Sequence, residues 1–510
     1  MSHTRSRPMR LATLATAGVT ASLLLAGTAT AIVGASSAAG EHAYIARVII
    51  GPEATAKACT ATLVDQNWVL TAASCFADTP GAALTDGKPK RTSTVTFGNG
   101  QTATITDLKA RSTRDLVMAR LDKPVTTITP ADVSATAPAV GSELVAAGLG
   151  RSKTLWGLAP TKPRKATFKV NSVAYPNIEV VGKSASDNIC KGDTGAPLLN
   201  SAGDVVGVAS RSWQGGCGGE TETRTDAIAA RAYDVASWVQ QVRLATILPD
   251  ATQVMTTADF NKDGRSDIAV VTKDGNLHAA YGRTDGTFQY GRPLWGLDGS
   301  WKAIAEIIGG DFNGDGNMDI AAVFGTGSLN LYAGKADGTL ASGQKMWPDN
   351  TNWAGMLHLA RFKADSSGRD GLLALWNTGA LYVYNTGTNG LLDGEKRQLW
   401  PDNSWKTMRL VATGDANGDT RDDIVAVTPG GSLMRFDGNA QGGLNGGVNI
   451  WPDNSWAVDG AKIYAGDVDG DKKLDLLSNW TTELRFYKGD GKGVFAAGDK
   501  IWPMTLPVNP

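Results

Sequence analysis

Asp259-Phe-Asn-Lys-Asp-Gly-Arg-Ser-Asp267 is the first of five related segments in the second half of this 510-residue chain. Their starting positions are 52, 50, 54 and 52 residues apart. Each segment precedes short apolar stretches separated by Gly-rich turns, and a unit of about fifty residues with several short strands has the size of one β-propeller blade. Five copies therefore predict a five-bladed propeller over residues 246–510. The later copies are Asp311-Phe-Asn-Gly-Asp-Gly-Asn-Met-Asp319, a degenerate one from Arg361 to Asp370, Asp415-Ala-Asn-Gly-Asp-Thr-Arg-Asp-Asp423 and Asp467-Val-Asp-Gly-Asp-Lys-Lys-Leu-Asp475.

A second repeated motif supports this register. Trp-Pro-Asp-Asn occurs at Trp347, Trp400 and Trp451, and a final Trp-Pro pair begins at Trp502. We expect these indoles to pack between blades, because large aromatic rings dominate the energetics of buried contacts. Stacking of a sugar on the ring is the alternative.

The acidic segments carry oxygen ligands at fixed positions. Side-chain oxygens at positions 1, 3, 5 and 9, with a carbonyl at position 7, can surround a hard cation of the size of calcium. Because these residue types recur in four copies, we expect structural calcium rather than Asx turns without metal, and no catalytic cofactor. The predicted ligands are Asp259, Asn261, Asp263 and Asp267; Asp311, Asn313, Asp315 and Asp319; Asp415, Asn417, Asp419 and Asp423; and Asp467, Asp469, Asp471 and Asp475.

These segments differ from EF-hand loops, because position 12 of the first copy is Val270 instead of Glu. They resemble the FG-GAP/VCBS calcium loops of integrin-like propellers. Seven blades are common in that family, but the segment is too short for seven blades of this size, so we predict five. In the third copy Arg361 and Lys363 replace ligands, and no ion is expected there.

The front half, residues 32–245, alternates short apolar runs with Gly, Pro, Asn and Asp. This pattern predicts an antiparallel β-barrel or sandwich. An amphipathic helix is predicted near its end, around Trp238. An even number of cysteines in an exported chain indicates two disulfides, with three possible pairings. All four cysteines lie in this half, at Cys59, Cys75, Cys190 and Cys217.

Four segments of the front half resemble the trypsin/chymotrypsin family, in the family's order. They are residues 59–75 (CTATLVDQNWVLTAASC), 114–121 (RDLVMARL), 190–198 (CKGDTGAPL) and 212–217 (SWQGGC). The resemblance implies a double antiparallel β-barrel, so we expect a mainly β protein in which this barrel pair precedes the propeller. It also implies the disulfides Cys59–Cys75 and Cys190–Cys217.

The catalytic triad of that family is degenerate in this chain. Asp115 stands at the position of the aspartate, but Ser74 replaces the histidine and Thr194 replaces the serine. A serine hydroxyl is not basic near neutral pH and cannot accept a proton from Thr194. The four histidines are His3, His42, His278 and His358, and none occupies a triad position.

Other parts of the family's site are retained. The backbone amides of Gly192 and Thr194 correspond to the oxyanion hole, which binds a carbonyl oxygen. The resemblance places Asn188 at the bottom of the primary specificity pocket. It assigns Ser212 and Trp213 to the wall of the substrate cleft.

The first residues predict a secretory signal peptide, residues 1–31. Arg5, Arg7 and Arg10 precede an apolar run, and Ala29-Thr-Ala31 has the small-x-small pattern of a cleavage site. Cleavage there would expose Ile32, whose ammonium, by the resemblance, pairs with Asp193. Cleavage after Ala39 is the alternative. The run is too short for a membrane anchor, so no membrane span is expected in the mature form.

The chain is close to neutral, with 49 Lys and Arg against 50 Asp and Glu. This balance argues against a nucleic-acid partner. We therefore expect a secreted pseudoprotease with a calcium-binding propeller that binds an extracellular protein, peptide or polysaccharide. The alternative is an active secreted serine endopeptidase whose propeller targets its substrate.

Overall fold

Nine stretches of the chain are described by the computed structural model: residue 32 and residues 35–79, 82–150, 162–217, 220–248, 250–347, 352–363, 366–480 and 482–503. The predicted signal peptide, residues 1–31, lies outside them. Within these stretches no helix is long and apolar enough to cross a membrane.

The front half contains two closed antiparallel barrels of six strands each. The first has the strand order β2-β3-β4-β7-β6-β5, and the second has the order β9-β10-β13-β12-β11-β8, closed by pairing of β8 with β9. The strands are β1 (Ala35–Ser36), β2 (Ile45–Ile50), β3 (Lys57–Asp65), β4 (Trp68–Thr71), β5 (Ser93–Phe97), β6 (Thr102–Arg111), β7 (Leu116–Leu121), β8 (Glu143–Gly148), β9 (Arg164–Ala174), β10 (Asn177–Gly182), β11 (Pro197–Leu199), β12 (Val205–Ser212) and β13 (Asp226–Arg231).

Alternation of buried and exposed side chains explains why these segments form strands around two cores. In β5, for example, Ser93, Val95 and Phe97 are buried while the residues between them are partly exposed. The predicted disulfides are confirmed: Cys59 is bonded to Cys75, and Cys190 to Cys217.

The back half is a propeller of five four-stranded blades, as predicted from the five repeats. Each blade is an antiparallel sheet whose strands follow one another in chain order. The strands are β14 (Thr252–Ala258), β15 (Asp267–Thr272), β16 (Leu277–Gly282), β17 (Phe288–Pro293), β18 (Ile304–Gly310), β19 (Asp319–Phe324), β20 (Leu329–Tyr332), β21 (Gln344–Lys345), β22 (Met356–Phe362), β23 (Gly371–Trp376), β24 (Leu381–Thr386), β25 (Leu392–Gln398), β26 (Leu410–Gly414), β27 (Asp423–Val427), β28 (Leu433–Phe436), β29 (Val448–Asn449), β30 (Lys462–Gly466), β31 (Asp475–Trp480), β32 (Glu483–Tyr487) and β33 (Asp499–Trp502).

Hydrogen bonds between innermost strands join the first blade to its neighbours. The Thr257 hydroxyl in β14 donates to the carbonyl of Ala465 in β30 over 2.6 Å, which connects the first blade to the last. The Gly309 amide in β18 donates to the Thr256 hydroxyl over 2.8 Å. These hydrogen bonds connect adjacent blades near the centre of the propeller.

Aromatic triads recur through the propeller. In one of them the Trp405 ring lies 4.6 Å from Phe436 and 5.8 Å from Trp400, measured between ring centroids. Trp405 is buried, whereas Trp400 is partly exposed. The second tryptophan of each Trp-Pro-Asp-Asn region is therefore the main packing residue. The other triads are Trp295–Trp301–Tyr332, Trp347–Trp353–Tyr384 and Trp451–Trp456–Tyr487.

The helix α1 (Ala236–Leu244) connects the two halves. Leu244 belongs to an apolar cluster with first-blade residues such as Met255, and the amide of Tyr290 donates to Gln240 over 3.1 Å. Arg243 lies over the Tyr290 ring and donates to the buried Asp65 over 3.3 Å. The helix at the end of the barrels therefore also packs on the propeller.

Candidate functional site

The structure brings together Ser74 and Asp115, two of the three residues predicted at the triad positions. The Ser74 amide donates to Asp115 Oδ1 over 2.6 Å, and the Ser74 hydroxyl donates to Asp115 Oδ2 over 2.8 Å. Strand β4 pairs with β7, so the turn after β4 that carries Ser74 lies beside the start of β7, where Asp115 is found. The Cys59–Cys75 disulfide attaches that turn to β3.

A third donor to Asp115 was missed from the sequence. The Ser210 hydroxyl donates to Asp115 Oδ2 over 2.6 Å. Ser212, which the sequence assigned to the cleft wall, instead donates to the carbonyl of Ile189 over 2.5 Å. The pairing of β12 with β13 shifts in register between Ala209 and Arg211, the two neighbours of Ser210.

The loop that carries Thr194 has two glycines with positive φ, Gly192 at 92° and Gly195 at 91°. A Cβ atom on Gly195 would lie 2.0 Å from the carbonyl oxygen of Thr60, so only glycine fits there. Two hydrogen bonds from Thr60 hold the loop. Its amide donates to the Thr194 carbonyl over 2.8 Å, and its hydroxyl donates to the Gly192 carbonyl over 3.0 Å. Thr194 itself is partly exposed.

The amides of Gly192 and Thr194 are available to a ligand. Within the described residues neither N–H donates a hydrogen bond to another group of the protein. No acceptor of the described protein therefore occupies the two amides that the sequence predicts to form an oxyanion hole.

Asp193 is fully buried below this loop and accepts three backbone N–H groups. They come from Ile32 at 3.0 Å, Cys190 at 3.1 Å and Gly150 at 2.8 Å. Burial raises the pKa of Asp193 to about 6, while these hydrogen bonds oppose the shift. The structure thus brings Ile32 to Asp193, with Ile32 nitrogen present as a peptide amide.

Asn188 is buried, with 1% of its surface exposed, and its side-chain amide donates to the carbonyl of Ala185 over 2.8 Å. Its Oδ1 has no hydrogen-bond donor among the described residues. Trp213 is 51% exposed and is covered on one face by the Arg224 guanidinium, 4.0 Å from the ring centroid. The Glu222 carboxylate holds that arginine in place.

The predicted calcium loops share two further features. The first aspartate accepts amides of its own loop: Asp259 Oδ1 accepts Asp263 N–H at 3.1 Å, and Oδ2 accepts Gly264 N–H at 2.9 Å. The ninth residue, Asp267, is buried and accepts the amides of Asn261 at 3.1 Å and Gly282 at 2.9 Å. The same roles recur at Asp311 and Asp319, Asp415 and Asp423, and Asp467 and Asp475.

Burial of the ninth residue changes its ionisation. It raises the pKa of Asp267 to about 7 and the pKa values of Asp319, Asp423 and Asp475 to about 6. Nearby acidic side chains add to the shift. A divalent cation would relieve this repulsion.

The fourth complete loop brings three carboxylates together. Oxygens of Asp467, Asp469 and Asp475 lie within 4.8 Å of one another. The Lys488 ammonium pairs with Asp469 and lies 2.9 Å from Asp471. The Lys488 ammonium, a positive charge of the protein itself, therefore lies beside the acidic side chains of this loop.

Comparison with known proteins agrees with these two architectures. The Trypsin family model matches residues 31–239, and the FG-GAP-like repeat model matches residues 259–322. The front half of the chain is a trypsin-like serine protease domain, and FG-GAP-like repeats follow it.

Relatives and solved structures match the trypsin-like domain. Snake venom serine protease Haly-2 of Gloydius brevicauda is 28% identical over 208 residues, covering 36% of this chain and 77% of the relative. Snake venom serine proteinase 14 of Crotalus adamanteus is 26% identical over 218 residues, covering 40% and 82%. The structure of neuropsin, a serine protease expressed in mouse brain, aligns with a TM-score of 0.34 at 17% identity, covering 41% of this chain and 98% of neuropsin.

The described histidines lie away from the triad of the trypsin-like domain. His42 contacts the Ser37 hydroxyl at 3.0 Å, and its ring packs against Tyr44. His278 and His358 belong to strands β16 and β22 of the propeller. Within the described residues none of these three imidazoles forms a hydrogen bond with Ser74, Asp115 or Thr194.

The trypsin-like domain has a cleft of about 530 Å³ beside Ser74, Asp115 and Ser210. This volume lies in the usual range of ligand sites. Its lining residues include Arg111, Arg114 and Arg211, which sequence reasoning also missed. Arg114 adjoins Asp115 in the sequence, but a strand-flanking arginine has no motif that marks it as a cleft residue.

Proposed function

We propose that this protein is a secreted trypsin-like pseudoprotease that binds its ligand without cleaving it, joined to a calcium-binding FG-GAP propeller used in extracellular recognition or adhesion. The observation that carries the proposal is the hydrogen bond from the Ser74 hydroxyl to Asp115. A hydroxyl group occupies the place where the reaction needs a proton acceptor.

Proteolysis by this fold requires an imidazole that takes the proton of the nucleophile and returns it to the leaving group. Ser74 cannot do either near neutral pH, because its hydroxyl has no basic site. Loss of the base in such a triad lowers the rate by about 10⁴–10⁶-fold. Thr194 is a further obstacle, because its extra methyl group crowds the path of attack and it has no N-terminal amine as a base.

Binding does not need the missing base. The unpaired amides of Gly192 and Thr194 suit a carbonyl oxygen, and the unpaired Oδ1 of Asn188 suits an N–H or O–H donor. The cleft beside Asp115 adds volume for a ligand. These features support retention of a binding site after loss of catalysis.

Location outside the cell is supported by three independent features. The chain begins with a basic segment, an apolar run and a small-x-small site, which together are typical of a secretory signal. Two disulfides join all four cysteines, as expected in an oxidising compartment. The relatives named above are venom proteins.

Calcium is supported by the donor chemistry of the loops. Four loops present side-chain oxygens at four matching positions, and hard oxygen ligands are those that calcium takes. Convergence of Asp467, Asp469 and Asp475 is the strongest geometric support. The ions would neutralise the acidic loops and stabilise the blades.

Activity is tested by incubating the mature chain with casein and with a panel of peptide and ester substrates. The expected result is no turnover by the natural chain. The Ser74→His/Thr194→Ser variant is the control, since it restores the three side chains of the triad. Turnover by the natural chain at ordinary protease rates would instead establish the alternative, an active endopeptidase with the propeller as a targeting module.

Calcium binding is tested separately by thermal unfolding with calcium and with a chelator. A ligand that binds the folded state raises the midpoint of unfolding. We expect a lower midpoint in chelator, and we expect the difference to disappear when calcium is restored. An unchanged midpoint would mean that the acidic loops are turns without metal.

A further inference from the structure

The cleft beside Asp115 has an excess of positive charge. Its charged lining residues are Arg111, Arg114, Arg211 and Asp115. The Asp115 carboxylate already accepts three hydrogen bonds, from Ser74 and Ser210. These donors are neutral, so the lining still contains one carboxylate against three guanidinium groups.

Two of these arginines lack a charged partner. Arg114 pairs with Asp234 over 2.5 Å, but neither Arg111 nor Arg211 forms an ion pair within the described residues. Arg211 is exposed, whereas Arg111 is partly buried. Burial and the neighbouring charge of Arg114 lower the pKa of Arg111, while Tyr175 and Asp234 oppose the shift.

Buried N–H groups in the same lining have no acceptor. The Arg114 side chain is fully buried, and its Nε and Nη2 meet no hydrogen-bond acceptor among the described residues; the same is true of Arg111 Nε. The ring of Tyr175 lies 5.3 Å from the Arg114 guanidinium, and its hydroxyl approaches Thr113 and Arg114 closely enough for both to lower the pKa of the phenol. Unpaired buried donors are uncommon in folded proteins, and a water molecule or an anion would satisfy the N–H groups that Tyr175 does not reach.

A free strand edge borders the cleft. Strand β11 covers one edge of β12 only as far as Val208. Beyond Ala209, β12 continues to Ser212, and in the described sheet this last part pairs only with β13 on the other edge. Arg211 lies in this last part of β12, which is paired with β13 on one edge and free on the other. An extended peptide can add to such an edge through main-chain hydrogen bonds, while its side chains enter neighbouring pockets.

We propose that this cleft binds an extended acidic peptide segment, with its carboxylates on Arg111 and Arg211 and its backbone along the free edge of β12. Arginine is suited to this task because its planar fork of N–H groups matches a carboxylate. The strand edge favours a peptide over a sulfated polysaccharide, which has no regular amide groups to pair with it. The inference rests on the proposed function, in which the cleft binds without cutting.

The test uses the mature full-length chain and three fluorescein-labelled peptides of equal length. They carry four consecutive glutamates, four glutamines or four lysines, and binding is followed by fluorescence anisotropy. We expect the glutamate peptide to bind at least about tenfold more tightly than the glutamine peptide, with an affinity that falls as salt rises. The lysine peptide should not bind.

Matched variants locate the site. Arg111→Gln/Arg211→Gln should weaken binding of the glutamate peptide by about tenfold or more, whereas Arg120→Gln, which removes an exposed charge of the same domain outside the cleft, should leave it unchanged. Arg114 is kept, because it pairs with Asp234 inside the protein. Equal melting temperatures of the variants establish that they are folded.

Three results would overturn the inference. They are equal binding of the glutamate and glutamine peptides, equal effects of the cleft and Arg120 substitutions, and displacement of the glutamate peptide by a sulfated oligosaccharide that binds more tightly. Mass spectrometry of the peptides after incubation gives a separate readout. Cleaved peptide would refute the proposal that the protein is a pseudoprotease. The preference for acidic residues would still be decided by the anisotropy measurements.

Discussion

The hydroxyl of Ser74 donates a hydrogen bond to Asp115 Oδ2 over 2.8 Å, while the amide of the same residue donates to Oδ1 over 2.6 Å. In a trypsin-like site the aspartate orients an imidazole. Here a short side chain satisfies that carboxylate directly. The hydrogen bonds from Ser74 therefore leave no unpaired oxygen on this carboxylate.

The Ser74 and Ser210 hydroxyls should act together on stability, because both donate to Asp115 Oδ2. We expect Ser74→Ala and Ser210→Ala each to lower the free energy of unfolding by about 1 kcal/mol, and the double variant to lose more than the sum. Urea unfolding of the four proteins measures this. If the loss of unfolding free energy in the double variant equals the sum of the two single losses, the two hydroxyls do not compensate for each other at Asp115 Oδ2.

The N-terminus at Ile32 should control stability through Asp193. With a neutral amide at Ile32, burial raises the pKa of Asp193 to about 6 from 3.8, so the folded state loses stability as the pH rises through this range. The penalty at neutral pH is about 3 kcal/mol. A free Ile32 ammonium would remove it by pairing with the carboxylate.

The comparison is between the chain that starts at Ile32 and one that retains Ala31. We expect the shorter chain to be more stable at pH 7 and the difference to shrink at pH 4. Asp193→Asn in the longer chain should reduce its loss of stability with rising pH, and the part that remains comes from other buried carboxyl groups such as Asp267. Equal unfolding curves at both pH values would contradict the pairing.

Blade packing should depend more on Trp405 than on Trp400, although both contact Phe436. Trp405 is buried and Trp400 is partly exposed. Trp405→Ala should lower the free energy of unfolding by about 3–5 kcal/mol, because it leaves a large cavity. Trp400→Ala is the control and should lose clearly less. Equal losses in chemical denaturation would mean that the two rings share the packing.

Lys488 should compete with calcium in the loop that begins at Asp467. Its ammonium pairs with Asp469 and Asp471, which are predicted ligands. Lys488→Gln should strengthen calcium binding at one site without changing the number of ions bound. Isothermal titration calorimetry measures both quantities. Lys492→Gln, an exposed neighbouring lysine, is the control, and identical isotherms for the two variants would contradict the competition.

The repeats in the sequence were enough to predict the propeller, whereas the double barrel and the pairing of the four cysteines were predicted from the resemblance to the trypsin/chymotrypsin family. The repeats mark each blade, since every copy carries the same loop and strand pattern, and the four cysteines follow from motifs within a few residues of them. The triad positions Ser74, Asp115 and Thr194 also follow from such motifs. Ser210 was missed because it lies just outside the quoted segment 212–217, and its contact with Asp115 joins residues that are 95 positions apart in the chain.

The amino-acid sequence by itself determined which chemical groups are present: a hydroxyl where a base is needed, four acidic loops and two disulfides. Only the tertiary structure decided which of these groups meet, as with Ser210 on Asp115, Lys488 on Asp469, and three arginines around one cleft. The reason is physical. Composition and spacing set chemistry and local conformation, whereas contacts between residues far apart in the chain depend on strand register and on how whole sheets pack.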